Sequence, residues 1–147
     1  YNTEYVIVKE ERVENHFVVS TASPLASRKR ISLESLVKQP FILTEKGMSY
    51  RRFLDEQLAQ RSLEIIPVLE IGNPHLICDM VCKGNGISFL PDFVTAQARD
   101  AGKLVYLNIP EIKVTIWKQL LHHRDKWISP QIRSVLDFCA EKEFGSK

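Results

Sequence analysis

Glu64-Ile-Ile-Pro-Val-Leu-Glu-Ile-Gly-Asn-Pro-His-Leu-Ile-Cys-Asp-Met-Val-Cys-Lys-Gly-Asn-Gly-Ile-Ser-Phe-Leu-Pro91 reads as strand, helix and strand, with turn residues where the changes fall. Ile65 to Ile71 is an apolar, β-branched run of strand length closed by Gly72. Asn73 is suited to cap a helix, and Pro74 suits the first helical position, where no N–H is needed. Leu76, Ile77, Met80 and Val81 then recur at helical spacing along one face. Gly84-Asn85-Gly86 supplies residues that tolerate the left-handed backbone ending a helix, and Ile87 to Leu90 forms a short buried strand stopped by Pro91.

Two strands joined by one helix in so few residues are expected to run parallel with a right-handed crossover. In an open α/β sheet, ligands bind outside the carboxyl ends of the strands. Here that place is the Gly72-Asn73-Pro74 turn, where free amides at a helix start are expected to point outwards.

Working outward, Phe41 to Thr44 is a strand that follows Pro40 at once. Before it, Ser32 caps a short helix carrying Leu33, Leu36 and Val37. After it, Glu45 to Ser49 makes a turn, and Ser49 is expected to cap a helix with Phe53, Leu54, Gln57 and Leu58 on one stripe. Beyond the opening quotation, Asp92 is expected to cap a helix through Val94 and Ala98 that ends at Gly102, and Leu104 to Ile109 reads as a strand. Towards the N-terminus, Tyr5 to Val8 and Phe17 to Ser20 read as strands separated by the charged stretch Lys9 to Asn15, a solvated turn or fraying edge. Towards the C-terminus, Val114 to Leu121 reads as a longer strand. Ser129-Pro130 opens a last helix with Ile132, Val135, Leu136 and Cys139 at helical spacing, and the ending Phe144 to Lys147 has no pattern. The alternation is that of an α/β sheet with helices on its faces.

A chain of 147 residues suits one domain or two small lobes. It can bury roughly 70% of its unfolded surface, enough for a core without staples. With 44% hydrophobic and 26% charged residues, disordered and membrane classes are excluded. No apolar run approaches the ~20 residues of a spanning helix, and the N-terminus has no signal-peptide succession, so the expected location is cytoplasmic. A net charge of +2 marks no nucleic-acid surface. Arg28-Lys29-Arg30 is the one dense basic patch and reads as a solvated turn. Three cysteines argue against a disulfide framework. Cys78 and Cys82 share a helical side, but no histidine or second cysteine pair stands at ligand spacing, so packing is the reading and no metal or cofactor is expected.

Each enzymatic signature fails on a specific residue. Gly84-Asn85-Gly86 follows a helix, not a strand, so it is no dinucleotide fingerprint. Gly86-Ile87-Ser88-Phe89-Leu90 has Leu90 where a nucleophile elbow needs glycine. His122 and His123, adjacent on a strand, point to opposite faces. His75, in the first turn at the proposed edge, is better placed to meet a ligand, and Glu45 could hold a cationic group, though both also read as plain surface residues. With no nucleophile, base and orienter together, catalysis is not expected.

The ordered set Phe17-Val-Val-Ser-Thr-Ala-Ser-Pro-Leu-Ala26, Ile31-Ser-Leu-Glu-Ser-Leu36, Pro40-Phe-Ile-Leu43, Tyr50-Arg51, Val81 through Gly84-Asn-Gly-Ile-Ser-Phe-Leu-Pro91 and Gly102-Lys-Leu-Val105 resembles the effector-binding domain of LysR-type transcriptional regulators. The resemblance spans nearly the whole chain. It implies a two-lobed, periplasmic-binding-protein-like (type II) α/β fold, with a small effector held in the cleft between the lobes. Residues 21–110 would form a complete second lobe, and residues 1–20 and 111–147 part of the first, with crossings near Val19 to Thr21 and Pro110 to Val114. The family's DNA-binding winged helix-turn-helix and the opening of the first lobe have no counterpart before Tyr1, so the chain is expected to be N-terminally incomplete. Carried over position by position, Ser20 and Thr21 line the pocket from the first crossing strand. Ile71, Gly72, Asn73 and Pro74 face it as the second-lobe turn, and Thr44 joins them from the end of its strand.

The implied partners are a small-molecule effector of organic-acid type, a second copy of the chain in a homodimer, higher oligomers of the full-length protein, and DNA only through the absent domain. Two other readings stay open. A solute-binding protein of a transport system shares the fold and should carry a secretion signal. A small α/β enzyme would use His75 or Ser88.

Overall fold

The computed structural model describes residues 5–123 and 130–143. The expected Ser129 cap, the ending Phe144 to Lys147 and the side chains of His122 and His123 lie outside the described residues. The elements in order are β1 (Tyr5–Ser20), a 3-10 turn (Pro24–Ser27), α1 (Leu33–Leu36), β2 (Ile42–Leu43), α2 (Ser49–Gln60), β3 (Leu69–Glu70), α3 (Pro74–Cys82), β4 (Ser88–Pro91), α4 (Asp92–Asp100), β5 (Leu104–Tyr106), β6 (Thr115–His123) and α5 (Pro130–Glu143). The chain divides into two compact units, residues 14–116 and residues 1–13 with 117–147. No helix among the described residues is long and apolar enough to cross a membrane.

In the larger unit β2 and β3 pair in parallel, Ile42 opposite Leu69. A parallel bridge, Phe41 to Ile87, leads from β2 to β4. β1 then pairs antiparallel with β4 on one side and with β5 on the other. The succession β3-β2-β4-β1-β5 therefore separates the two strands of the opening quotation: both run parallel to β2, which lies between them. Phe17 packs against Phe89 and Phe41, with ring centroids 4.8 and 5.9 Å apart, and Leu36, Leu54, Leu58, Ile77 and Val81 close around them without exposure.

Three strand expectations change. The charged stretch Lys9 to Asn15 is not a turn but the middle of one continuous strand, β1. Period-two alternation survives in Val13, Asn15 and Phe17, all buried, and the pairing partners lie far along the chain, where local composition gives no sign of them. Conversely, the run Ile65 to Ile71 yields only the two-residue β3, with Ile66 76% and Val68 67% exposed. Pro67 cannot donate to a ladder, which confines the run to a short edge strand.

The expected strand Leu104 to Ile109 is likewise shorter, ending at Tyr106. Caps also shift by one residue. Met48 stands at the N-cap of α2 with no side-chain bond, and Ser49 is already helical. Pro91 holds that place before α4, which frees the Asp92 carboxylate to bond His16 Nδ1 at 2.7 Å. Ser32 and Asn73 cap as expected. In the smaller unit β6 pairs with β1, Gln119 donates to Glu10, and Leu136 of α5 is buried while Val135 and Phe138 are exposed.

Candidate functional site

The carboxyl ends of β2 and β3 meet at one edge of the larger unit. Ile71 N–H donates to Leu43 O at 3.0 Å, which sets Thr44 beside the Ile71-Gly72 turn. At Gly72 a Cβ would stand 3.0 Å from Glu45 Oε1, the movable end of a side chain, so the carboxylate of Glu45 lies against the turn. Gly72 and Asn73 are exposed, and Ile71 and Pro74 are half-buried.

The α3 start differs from expectation in one chemical respect. Asn73 Oδ1 accepts from His75 N at 3.1 Å and Leu76 N at 3.2 Å, Ile77 N donates to Asn73 O, and Pro74 has no N–H. The donors expected to point outwards are therefore spent within the helix's own cap. The unspent donors belong to α2 instead, whose N-cap Met48 has no oxygen to offer.

Beneath this edge Thr44 belongs to a polar cluster whose other members, Tyr50 and Arg51, sequence reasoning did not assign to the site. Thr44 is 1% exposed, and its Oγ1 has no hydrogen-bond partner; nor does the buried Tyr50 hydroxyl. Burial pushes the Tyr50 phenol above its ordinary value. The nearby Thr44 hydroxyl opposes that rise without reaching the aligned geometry of a full hydrogen bond. Arg51, 2% exposed, donates from Nη1 to Thr44 O at 2.6 Å and from Nε to Asp55 Oδ2 at 3.0 Å, with Glu70 Oε2 3.5 Å from Nη1. The guanidinium is thus the pin that holds the end of β2 against the first turn of α2. The Glu45 to Ser49 turn follows a strand and precedes a helix, as Gly72 to Asn73 does. That repetition was the sequence signal for a second contributor to the edge.

Ser20 and Thr21 do not join this group. β1 runs antiparallel to β4, with His16 opposite Leu90 and Val18 opposite Ser88, while β4 runs parallel to β2. Thr44 is therefore level with His16, and Ser20 stands four residues on, roughly 13 Å along the strand direction. Ser20 is 7% exposed and its Oγ accepts from Ala22 N, whereas Thr21 is exposed and donates to Gly102 O at 2.7 Å. The structure brings together Thr44, Ile71, Gly72, Asn73 and Pro74, and sets Ser20 and Thr21 at the opposite edge.

A hollow of about 760 Å³ lies between α3 and α4 and touches this edge only through His75. Cys78 and Cys82 line it too. Burial, then the neighbouring Cys82, pushes the Cys78 thiol up to about 11, which suits a packing role rather than a reactive one. Among the described residues no three His, Cys, Asp or Glu side chains gather as a metal site. Arg28, Lys29 and Arg30 are exposed. Ser88 is fully buried within β4, out of reach of a substrate.

Comparison with known proteins gives this geometry a context. Residues 4–143 match the family described as LysR substrate binding domain. The HTH-type transcriptional regulator YeiE of Escherichia coli (strain K12) is 36% identical over 137 residues, covering 90% of this chain and 46% of that protein. The chain thus spans under half the length of this relative. Among solved structures, the effector-binding domain of QuiR in complex with shikimate superposes with a TM-score of 0.71 at 20% identity, over 94% of this chain and 66% of that one. The regulatory domain of CcmR from Synechocystis PCC6803 in complex with 2-PG gives 0.69 at 23% identity, over 91% and 64%. The shared fold is that of the two-lobed, type II periplasmic-binding-like effector domains.

Proposed function

The chain belongs to the LysR substrate-binding domain family, and we propose that it is the effector-sensing part of a cytoplasmic, LysR-type transcriptional regulator, acting by binding and not by catalysis. In this reading residues 21–110 form the second lobe, residues 1–20 and 111–147 contribute to the first, and DNA is contacted by a separate winged helix-turn-helix module. The larger compact unit, residues 14–116, contains the whole of that second lobe.

The effector is a small organic acid held at Thr44 and the Ile71-Gly72-Asn73-Pro74 turn. One observation carries this: the first amides of α2 lack a side-chain cap at this edge, where the buried Thr44 hydroxyl has only the poorly aligned Tyr50 hydroxyl beside it. Buried polar groups without partners are rare, and a ligand oxygen would satisfy both sets of donors. The positive end of α2 favours an anion by ~0.3–1 kcal/mol. The domains of QuiR and CcmR, bound to shikimate and 2-PG, are fold relatives that support the same class. Ser20 and Thr21, expected in the same pocket, serve as the contrasting pair, because a ligand seated on the turn does not reach them.

Signalling requires that the effector favour one of two arrangements of the protein, and ~1.4 kcal/mol of differential affinity changes their ratio tenfold. Exposed Ile66, Val68 and Leu69 along the β3 edge support pairing of two copies. Light scattering is expected to find a dimer that Val68→Asp dissociates; an unchanged mass would remove this support.

Thermal shift against a panel of small organic acids, shikimate among them, tests the function. An acid present at 100 times its dissociation constant should stabilise by ~2.7 kcal/mol. Stabilisation by no acid in the panel would contradict the reading.

A further inference from the structure

At the amino ends of β2 and β4, opposite the edge just described, a separate hollow of about 330 Å³ opens among the end of β1, the 3-10 turn, the Gln39-Pro40 link and the α3 to β4 turn. Its size falls at the low end of the range for small-ligand sites. Its floor is apolar, from Val19, Leu25 and Ile87, all buried.

The walls are fixed by backbone. Ser23 N donates to Ser20 O at 2.9 Å, Asn85 N to Met80 O at 3.1 Å, and Ile87 N to Pro40 O at 3.0 Å. Gly86 presses so close that a Cβ would stand 2.7 Å from Pro40 O, and Gly84 holds a φ of +82° that favours glycine. Such walls need little reorganisation to receive a guest.

The polar complement is neutral. Ser20 and Ser23 each use Oγ to accept a local backbone N–H, which leaves both hydroxyl protons to donate. Gln39 and Asn85 also line the hollow, and among the described residues no hydrogen bond engages their carboxamides. No charged side chain lines it. An anion would lose its hydration here without a counter-charge, whereas a neutral carbonyl or amide would find both donors and acceptors.

We propose that this hollow is a second small-molecule site, taking a compact neutral ligand with an apolar body and a carboxamide- or hydroxyl-bearing edge. Two carboxamides can pair with a ligand amide in both senses, and Ser20 adds a donor from a position nine-tenths buried. This site is independent of the acid site, since the two share no residue.

Phenylacetamide and phenylacetate, nearly equal in shape and different in charge, separate the possibilities. In ¹⁵N–¹H spectra of the chain, millimolar phenylacetamide is expected to shift the amides of Ser20 to Leu25 and Gly84 to Ile87, with phenylacetate at least about tenfold weaker there. Asn85→Trp should block the mouth and abolish the shifts while the remaining spectrum stays dispersed, and Gln39→Ala should weaken binding up to about tenfold by removing one hydrogen-bonding group. Absence of shifts, shifts scattered over the surface, equal response to phenylacetate, or shifts unchanged in both variants would overturn the assignment.

Discussion

The two edges of the larger unit are built from the same kinds of turn, yet they differ in what they leave unspent. At the carboxyl edge, Thr44 and Tyr50 keep buried hydroxyls with no well-aligned hydrogen bond, Arg51 is a buried cation bonded to Thr44 O, and Gly72 is crowded only by the movable end of Glu45. At the amino edge, Gly86 is crowded by the backbone carbonyl of Pro40, the serine hydroxyls are half-used in local turns, and no charge lines the hollow. The first edge has adjustable side chains and a charged foundation; the second has rigid backbone and neutral edges. The difference predicts ligands of different charge and mutations of different cost.

Arg51→Met should have the largest effect. It removes the 2.6 Å bond to Thr44 O and the ion pair with Asp55, and leaves that carbonyl unpaired under the turn. A loss of about 3 kcal/mol is expected in urea denaturation, because hydrogen bonds to charged groups are worth ~1.5–3 kcal/mol and the exposed carboxylates add little. A loss under ~1 kcal/mol would deny that the guanidinium pins this edge.

Cys78 on α3, away from the contrast between the edges, serves as a reference. The unfolded thiol releases its proton near 9, while the folded one holds it to about 11. The folded state therefore binds the extra proton between these values, and stability falls as pH rises through that window, by up to roughly 3 kcal/mol. The slope should lessen in Cys78→Ala; an unchanged slope would assign the pH dependence to another group.

The two glycines give the sharpest contrast. Gly86→Ala forces a Cβ against backbone at 2.7 Å and should cost about 2 kcal/mol. Gly72→Ala meets a flexible carboxylate at 3.0 Å and should change stability by under ~0.5 kcal/mol. Equal costs in paired denaturation curves would erase the distinction between a rigid and an adjustable edge.

Much of this was legible in the residues. Asn73-Pro74 announced a capped helix, Gly84 its end, and Ser32 a second cap, because each depends on chemistry within a few positions. The continuity of β1 was not legible, since Lys9 to Asn15 is held in strand form by partners far along the chain. The shortness of β3 followed from Pro67, a signal outweighed in reading by the surrounding apolar residues. At the site, strand ends pointed to Gly72 through Pro74, and Ile71 and Thr44 were found from the resemblance. The polar cluster of Tyr50 and Arg51 depends on how α2 folds back over β2, which no spacing rule encodes. The same limit explains Ser20, whose place on the opposite edge is fixed only by the antiparallel register of β1 against β4.

Titration calorimetry of one organic acid that stabilises the chain, run on the unaltered protein, Thr44→Val and Ser20→Ala, tests the central assignment most directly. Thr44→Val is expected to weaken the acid by about tenfold, as for one lost hydrogen bond of ~1.4 kcal/mol, while Ser20→Ala leaves its affinity unchanged. The reverse pattern, loss at Ser20 and none at Thr44, would contradict it.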